Sequence, residues 1–563
     1  MKKRSVFLWV IRHINRRLLL IGAMTAAYMG QAMFSVLFAL GTRNVIDSAV
    51  GGVMADFLRA CLCQTGVIVI MLLCQAGYRH LHDRLTAELD RDWKRNILHG
   101  LLHGAYVEVS AYHSAELLNR MNNDVTKVNE GILTVLPSVA GMLTRIVAAI
   151  WILGSLDPKF TGIVCILGIL LFIATGTMRH HLKVLNKQVS EHDGKVSAFL
   201  QETMEKLLMV QAMGISAEME QRAELLMDKR YDIQRKRKNV GLVTNTGVSL
   251  VTHGAGFLAL CWCAWQMFQG KMSFGSLTAV TQLVNQLQMP FVNLSGILPK
   301  YVAMTASAER LMELEGIQGE AEPMEESPWE LYQRLTGIHA EGITFSYDRD
   351  SVLRKAAFSL KKGSFAVVVG PSGIGKSTLL KLLLGVIVPQ SGQLYLSCSD
   401  GKVALDRSTR KLFAYVPQGN LLLSGTIREN LTVVRPEATE KEILDAVYVS
   451  TMDEYLSQLP LGLETPLGES GMGLSEGQAQ RLAIARAVLG GAPIMLLDEC
   501  TSALDGETEE KVLRRLKELP NRTCIAVTHR PTAMELSDCI LEVSPNGISL
   551  REYETPRQDE HFG

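Results

Sequence analysis

Apolar and polar positions divide this chain into two unlike halves. Six apolar stretches, at about 18–41, 57–78, 132–154, 160–178, 247–269 and 274–298, dominate the first. Each approaches or exceeds the roughly 20 residues that carry a helix across a bilayer. The first follows Lys2, Lys3, Arg4, Arg12, Arg16 and Arg17, a basic start like that of a signal peptide, but its apolar run continues through Val36, Leu37 and Phe38. That is longer than the ~7–15 residues of a cleaved signal's core, so a retained span is expected. Between spans four and five, Leu182, Leu185, Val189, Val196, Phe199 and Leu200 recur at helical spacing. This predicts spans that continue into the cytosol as helices and turn over at short transverse segments near 110–118 and 195–205.

Charge orients these spans. The connection between spans two and three carries Arg79, Arg84, Arg91, Lys94, Arg95, Arg120 and Lys127, and the one between spans four and five is richer still, with Arg235, Lys236, Arg237 and Lys238 in a row. The alternate connections are short and nearly uncharged. The positive-inside rule therefore places both termini and both long connections in the cytosol. Over the whole chain 57 basic residues balance 57 acidic ones, so no basic excess points to nucleic acid. The ten cysteines are scattered, several inside apolar runs and without metal-binding spacing. They read as reduced, buried thiols.

An acidic connector at 313–336 (Glu313, Glu315, Glu320, Glu322, Pro323, Glu325, Glu326, Pro328) reads as a solvated linker after a membrane domain of 1–312. From Gly337 short β-branched runs alternate with helical stretches, the α/β pattern, to about 550, leaving a polar tail at 551–563. The run Phe365–Val369 reads as a buried strand. It leads into Gly370-Pro371-Ser372-Gly373-Ile374-Gly375-Lys376-Ser377, then a helical stretch from Thr378. That is a phosphate-binding loop in its strand–loop–helix setting. Backbone N–H groups and the helix N-terminus attract phosphate; Lys376 would reach the β- and γ-phosphates and Ser377 would bind Mg²⁺. A second strand, Ile494–Leu497, ends in Asp498 and Glu499. Asp498 suits Mg²⁺ and Glu499 suits the attacking water. A third, Thr523–Thr528, delivers His529 to the γ-phosphate. The three strand ends would converge where open α/β sheets bind ligands.

Leu474-Ser475-Glu476-Gly477-Gln478, before the helical run 479–489, resembles the signature motif of ATP-binding cassette (ABC) ATPases. Tyr347, Gln418 in Val416-Pro417-Gln418, Asp498-Glu499, Ser502-Ala503-Leu504-Asp505 and His529 complete the same order across about 340–545. With six spans ahead, the chain resembles an exporter-type half-transporter. Glu116–Val125 is similar to that family's first intracellular loop. The resemblance implies an all-α six-helix transmembrane domain with long cytosolic helical extensions, followed by an α/β phosphate-loop ATPase domain with a helical subdomain. It implies ATP and Mg²⁺ as cofactors and ATP hydrolysis coupled to transport. Tyr347 would stack on adenine, and Gln418 would sense Mg²⁺ and the attacking water. Asp505 would join the nucleotide site. Ser475, Gly477 and Gln478 would face the γ-phosphate held by a second chain, so a homodimer or heterodimer is implied. Glu476 stands where the family has glycine. A carboxylate there repels phosphate unless it points outward, which leaves open a heterodimer with one weakened site.

The substrate is less legible. Thr281, Gln282, Asn285, Gln286, Gln288 and Asn293 lie on span six, interrupted by Pro290, and suit either helix–helix hydrogen bonding or cavity lining. Arg145 lies near the middle of span three, where a charge costs at least ~2.5–3.5 kcal/mol and so should face protein or water. The expectation is export of an amphiphilic substrate (lipid, peptide or drug-like small molecule) in contact with membrane lipid. An ATP-gated channel or a non-transporting regulator is the alternative. The six spans argue against a soluble cassette ATPase acting on nucleic acid or in translation.

Overall fold

The computed structural model describes residues 2–317, 319, 326–347, 350–419, 422–468, 473–545 and 547–552. Contacts divide it into two compact units: 1–99 with 113–316, and 100–112 with 317–563.

The first unit is helical. Its long helices are Leu18–Gly51, Met54–His103 (through residue 99), Leu136–Leu156, Pro158–Glu205, Ser216–Phe268 and Phe274–Glu315. Among the described residues, four helical stretches are long and apolar enough to cross a membrane: Leu18–Gly51, Met54–His103, Ser114–Leu156 and Ser216–Phe268. The other two apolar stretches lie in Pro158–Glu205 and Phe274–Glu315, the latter carrying Pro290 and Pro299 in its interior. Asp157 starts the helix at Pro158, accepting from the N–H groups of Lys159 and Phe160, and its other oxygen accepts from the Trp262 indole at 2.8 Å. A helix cap and a tertiary tie thus share one carboxylate.

The helices do continue past the apolar stretches, but the second of the two expected turns falls elsewhere than the sequence suggests. Residues 195–205 complete the helix Pro158–Glu205, and the reversal comes at the short helix Leu207–Ala212 and Gly214, whose φ is +68°. Gly214 supplies the left-handed turn that a β-carbon would strain; helical periodicity alone does not mark it. Near the other site the short helices are Tyr106–Ser110 and Ser114–Asn119.

Two π-helical turns, Arg120–Asp124 and Gly131–Val135, interrupt the stretch leading into Leu136–Leu156. A β-carbon on Gly131 would stand 2.4 Å from Cβ of Met304, so glycine permits the helix Phe274–Glu315 to pass close to the second π-turn. At the first, Asp124 is fully buried and accepts from Ser307 Oγ (2.9 Å), Arg310 Nε (2.7 Å) and Arg310 Nη2 (2.5 Å). Arg120 reaches Glu116 and Glu313.

The second unit is α/β. A six-stranded sheet runs Gly547–Glu552, Cys539–Ser544, Phe365–Val369, Thr523–Val527, Ile494–Asp498, Phe413–Val416; all neighbours are parallel except the first pair. A four-stranded antiparallel sheet, Asp350–Lys361, Leu335–Tyr347, Ser391–Cys398, Gly401–Ala404, covers one face through a shared apolar core. On the other face Glu440–Val449, Glu476–Leu489 and Gly506–Lys517 bury a second core. The short helix Tyr106–Ser110 belongs to this unit, with Arg407 donating to the His103 carbonyl at 3.0 Å and Lys381 facing the Tyr106 ring.

The acidic connector is not uniformly solvated. Glu313 and Glu315 end the helix Phe274–Glu315, and Pro328–Arg334 is a helix whose Leu331 and Tyr332 are buried in the core. Glu320, Glu322, Pro323 and Glu325 lie outside the described residues, as does the tail from 553, while Arg551 and Glu552 belong to the last strand.

Candidate nucleotide site

The central strand Phe365–Val369 is buried over Phe365–Val368, and its C-terminal end opens into the phosphate loop. Gly370, Gly373 and Gly375 have φ of +152°, +79° and +110°. At Gly375, the residue before the helix Lys376–Leu383, a β-carbon would also stand 2.4 Å from Val352 Cγ1. A left-handed conformation costs a residue with a side chain about 1–2 kcal/mol before any clash is counted. Gly375→Ala is therefore expected to weaken ATP binding by about tenfold or more, measured by titrating a fluorescent ATP analogue onto the purified protein.

Lys376 is buried, and its amine donates to the carbonyls of Gly370 (2.9 Å) and Pro371 (3.1 Å), folding over its own loop. Ser372 lies exposed in the loop, and Thr378 is buried in the first helical turn. Ser377 Oγ donates to Asp498 Oδ1 at 3.1 Å, and Tyr415 donates to Asp498 Oδ2 at 3.2 Å. Burial pushes the Asp498 carboxyl above its ordinary pKa, against the lowering effect of these two hydrogen bonds. One hydroxyl from the first turn of the helix Lys376–Leu383 and one carboxylate at the end of the strand Ile494–Asp498 fit Mg²⁺, a cation that keeps several waters and takes few protein oxygens.

Glu499 follows at a φ of +48°, held by its N–H to the Val527 carbonyl at 3.1 Å. Gln418 Nε2 donates to Glu499 Oε2 at 2.7 Å, and His529 Nε2 stands 3.8 Å from Glu499 Oε1. The three strands Phe365–Val369, Thr523–Val527 and Ile494–Asp498 are parallel neighbours, with Ser377, His529 and Asp498-Glu499 at or beyond their C-terminal ends, and Gln418 joins them from beyond a fourth strand, Phe413–Val416. Gln418 contacts the carboxylate of Glu499 and not that of Asp498 in this state.

Ser475 caps the helix Glu476–Leu489 reciprocally: its hydroxyl accepts from Gln478 N–H, and Gln478 Oε1 accepts from Ser475 N–H at 2.8 Å. The Gln478 amide oxygen is therefore occupied by the helix start. Glu476 is exposed. Gly477 is required by close approach, since a β-carbon would stand 2.9 Å from the Ala503 carbonyl oxygen. Asp505 caps the helix Gly506–Lys517 through the Thr508 N–H, and that bond holds its carboxyl below the ordinary pKa. Tyr347 is exposed with its ring edge-on to Phe345.

The sequence reading missed several residues that fix this geometry. Tyr415 lies on the strand just before Gln418. Gln480 joins the signature helix to Ser502 Oγ and Ala503 N–H. Arg530 and the fully buried Glu509 pair at 3.0 Å, and Arg530 also donates to the carbonyls of Ser502 and Leu504. Arg530's place directly after His529 is the available clue; Glu509 gives none, since its partner is set by tertiary folding.

Fold and site together define an α/β nucleoside-triphosphatase cassette fused to a helical membrane domain. The family models agree: residues 20–291 match the ABC transporter transmembrane region and residues 353–502 match the ABC transporter cassette. The chain belongs to the ABC transporter family, an integral membrane protein whose ATPase domain is coupled to transport. It is 34% identical over 308 residues to the mitochondrial iron-sulfur clusters transporter of Yarrowia lipolytica, an alignment covering 54% of this chain and 43% of that protein. It is 28% identical over 441 residues to a fatty acid ABC transporter ATP-binding/permease protein of Mycobacterium bovis, covering 77% and 69%. The alignment thus spans less than half the length of the first relative and about two thirds of the second. The structure of a bacterial Atm1-family ABC exporter with ATP bound superposes with a TM-score of 0.78 at 24% identity, covering 95% of this chain and 94% of that one.

Proposed function

We propose that this chain is one half of an ATP-driven exporter that moves an amphiphilic substrate by alternating access, working as a dimer with ATP at the interface of two cassettes. The observation that carries the reading is the cluster Gln418–Glu499–His529 beside Ser377–Asp498. Glu499 orients and polarises the attacking water, His529 contacts the γ-phosphate, and Gln418 reports nucleotide state to the membrane domain. Ser377 and Asp498 would hold Mg²⁺, which would supply charge neutralisation at the phosphate oxygens. Lys376 is poised to exchange its two carbonyl partners for phosphate. Tyr347 offers an exposed ring to adenine, and Ser475 and Gly477 at a helix start present donors to the partner's γ-phosphate. Asp505 supports the site through the helix it caps.

The sequence has one phosphate loop and one signature helix, which supports a site shared between two chains. The exposed apolar side chains of Leu208 and Met213 at the turn near Gly214 suit contact with a partner cassette. Both termini and the cassette are assigned to the cytosol on the distribution of positive charge. Names of relatives cover iron-sulfur clusters and fatty acids, so they support transport without fixing the cargo. The test separates monomers from dimers by dilution in detergent, with native mass spectrometry to assign each and ATPase assays on both. Dimers are expected to hydrolyse ATP and monomers to lose nearly all activity; monomers at the full dimer rate overturn the shared site.

A further inference from the structure

Arg145 has no task in the ATPase cycle described above. It lies on the helix Leu136–Leu156, twelve residues before Asp157. At 1.5 Å per residue that is about 18 Å from the end of the span, near the middle of a hydrocarbon core ~30 Å thick. Its Nε is buried and has no hydrogen-bond partner among the described residues. Arg17, Arg43, Arg230 and Arg481 also have a buried nitrogen that makes no hydrogen bond, but the first three form ion pairs, with Glu88 and Asp92, Asp47, and Asp193 respectively, and Arg481 donates to the Thr451 carbonyl. Arg145 has no such neighbour among the described residues. The sequence supplies the reason, because none of the six apolar stretches contains a single Asp or Glu.

The surroundings suit a ligand with a charged head and an apolar body. Arg145's helix packs against Leu18–Gly51 and Phe274–Glu315. One turn away on the same face, Gly141 admits the Tyr28 ring; a β-carbon there would stand 2.5 Å from it. On Phe274–Glu315, at a similar depth counted from the same side, Asn285 is exposed. By contrast Thr281 bonds to its own helix and Gln288 donates to the Thr252 carbonyl at 3.0 Å. So two of the polar residues on that helix are engaged by the protein, while Asn285 remains open; the side chain of Asn293 lies outside the described residues.

We propose that Arg145 anchors the transported molecule, taking the carboxylate or phosphate head of an anionic amphiphile whose chain lies along the apolar helix faces. A guanidinium binds either head group through two parallel hydrogen bonds, and the low dielectric strengthens the pairing. The inference rests on the export reading and narrows it to an anionic cargo.

The test uses the full chain in zwitterionic phosphatidylcholine nanodiscs, without nucleotide, and measures binding of three ligands with one tail: dodecyl phosphate, laurate and dodecanol. Wild type is expected to bind both anions more tightly than dodecanol. Arg145→Gln is expected to weaken the anions at least tenfold and leave dodecanol nearly unchanged, and Arg145→Lys to recover most of the loss. Arg59→Gln, which removes an exposed cation at a helix start, serves as the charge control and is expected to bind as wild type. Loss of only one anion supports the assignment and identifies the head group. Unchanged anion affinity in Arg145→Gln, or an equal loss for dodecanol, overturns it. Because no nucleotide is present, a protein that hydrolyses ATP but ignores the anions sinks this inference alone. One that binds the anions without hydrolysing ATP sinks only the export reading.

Discussion

Glu499→Gln is expected to reduce ATP turnover by about 100-fold or more, the usual contribution of a positioned general base, with ATP affinity little changed. The substitution keeps the shape of the side chain and its reach to Gln418 and His529, but removes the negative charge that polarises water. Nothing in the loop that holds the phosphates depends on that charge: Lys376 bonds to Gly370 and Pro371, and Ser377 bonds to Asp498. The left-handed backbone at Glu499, fixed by the Val527 carbonyl, sets where the carboxylate points. The expected signature is therefore a split, with kcat falling and binding of a fluorescent ATP analogue retained, and with ATP-bound dimers accumulating. Wild-type turnover in the variant would assign the base elsewhere. Loss of ATP binding in parallel with kcat would mean instead that Glu499 supports the fold of the loop.

The cassette was legible because its chemistry is written in local order. A phosphate loop needs glycine at φ values that other residues avoid, so Gly370, Gly373 and Gly375 stand out without any tertiary information. Asp498, Glu499 and His529 follow buried strands, and parallel strands deliver their C-terminal ends to one edge. What escaped were partners chosen by folding. Tyr415 reads as one more aromatic strand residue until the sheet places it beside Asp498, and Glu509 reads as a solvated helix charge until Arg530 reaches it. In the membrane half, hydropathy located the apolar stretches but not the reversal at Gly214, since an exposed helix continues or ends on a single backbone angle. Helical periodicity gave no sign of the π-turns either, because they arise where Asp124 and Gly131 meet the helix Phe274–Glu315.

Asp124→Ala is expected to destabilise the helical unit by about 1.5–3 kcal/mol, the range for hydrogen bonds to a charged group. Asp124 is fully buried and is the common acceptor of Ser307 Oγ, Arg310 Nε and Arg310 Nη2, so its removal takes an acceptor from three donors at once and leaves Arg310 Nη2 only its bond to Ser307 Oγ. The Arg310 hydrogen bonds hold the Asp124 carboxyl below its ordinary pKa, although its own burial pushes the other way. The loss should fall short of that for a fully buried ion pair, about 3–5 kcal/mol, because the Arg310 side chain is 41% exposed and can turn to water. A folded-state pKa lowered in this way gives stability that is present above the ordinary carboxylate range and lost as pH falls through the shifted value. Wild type and Asp124→Ala should thus differ in thermal stability at neutral pH and converge toward the acid end. Asp124→Asn keeps the shape without the charge and should sit between them. A constant gap between wild type and Asp124→Ala down to acid pH would assign the loss to packing, leaving the carboxylate's charge without effect on the π-turn it anchors.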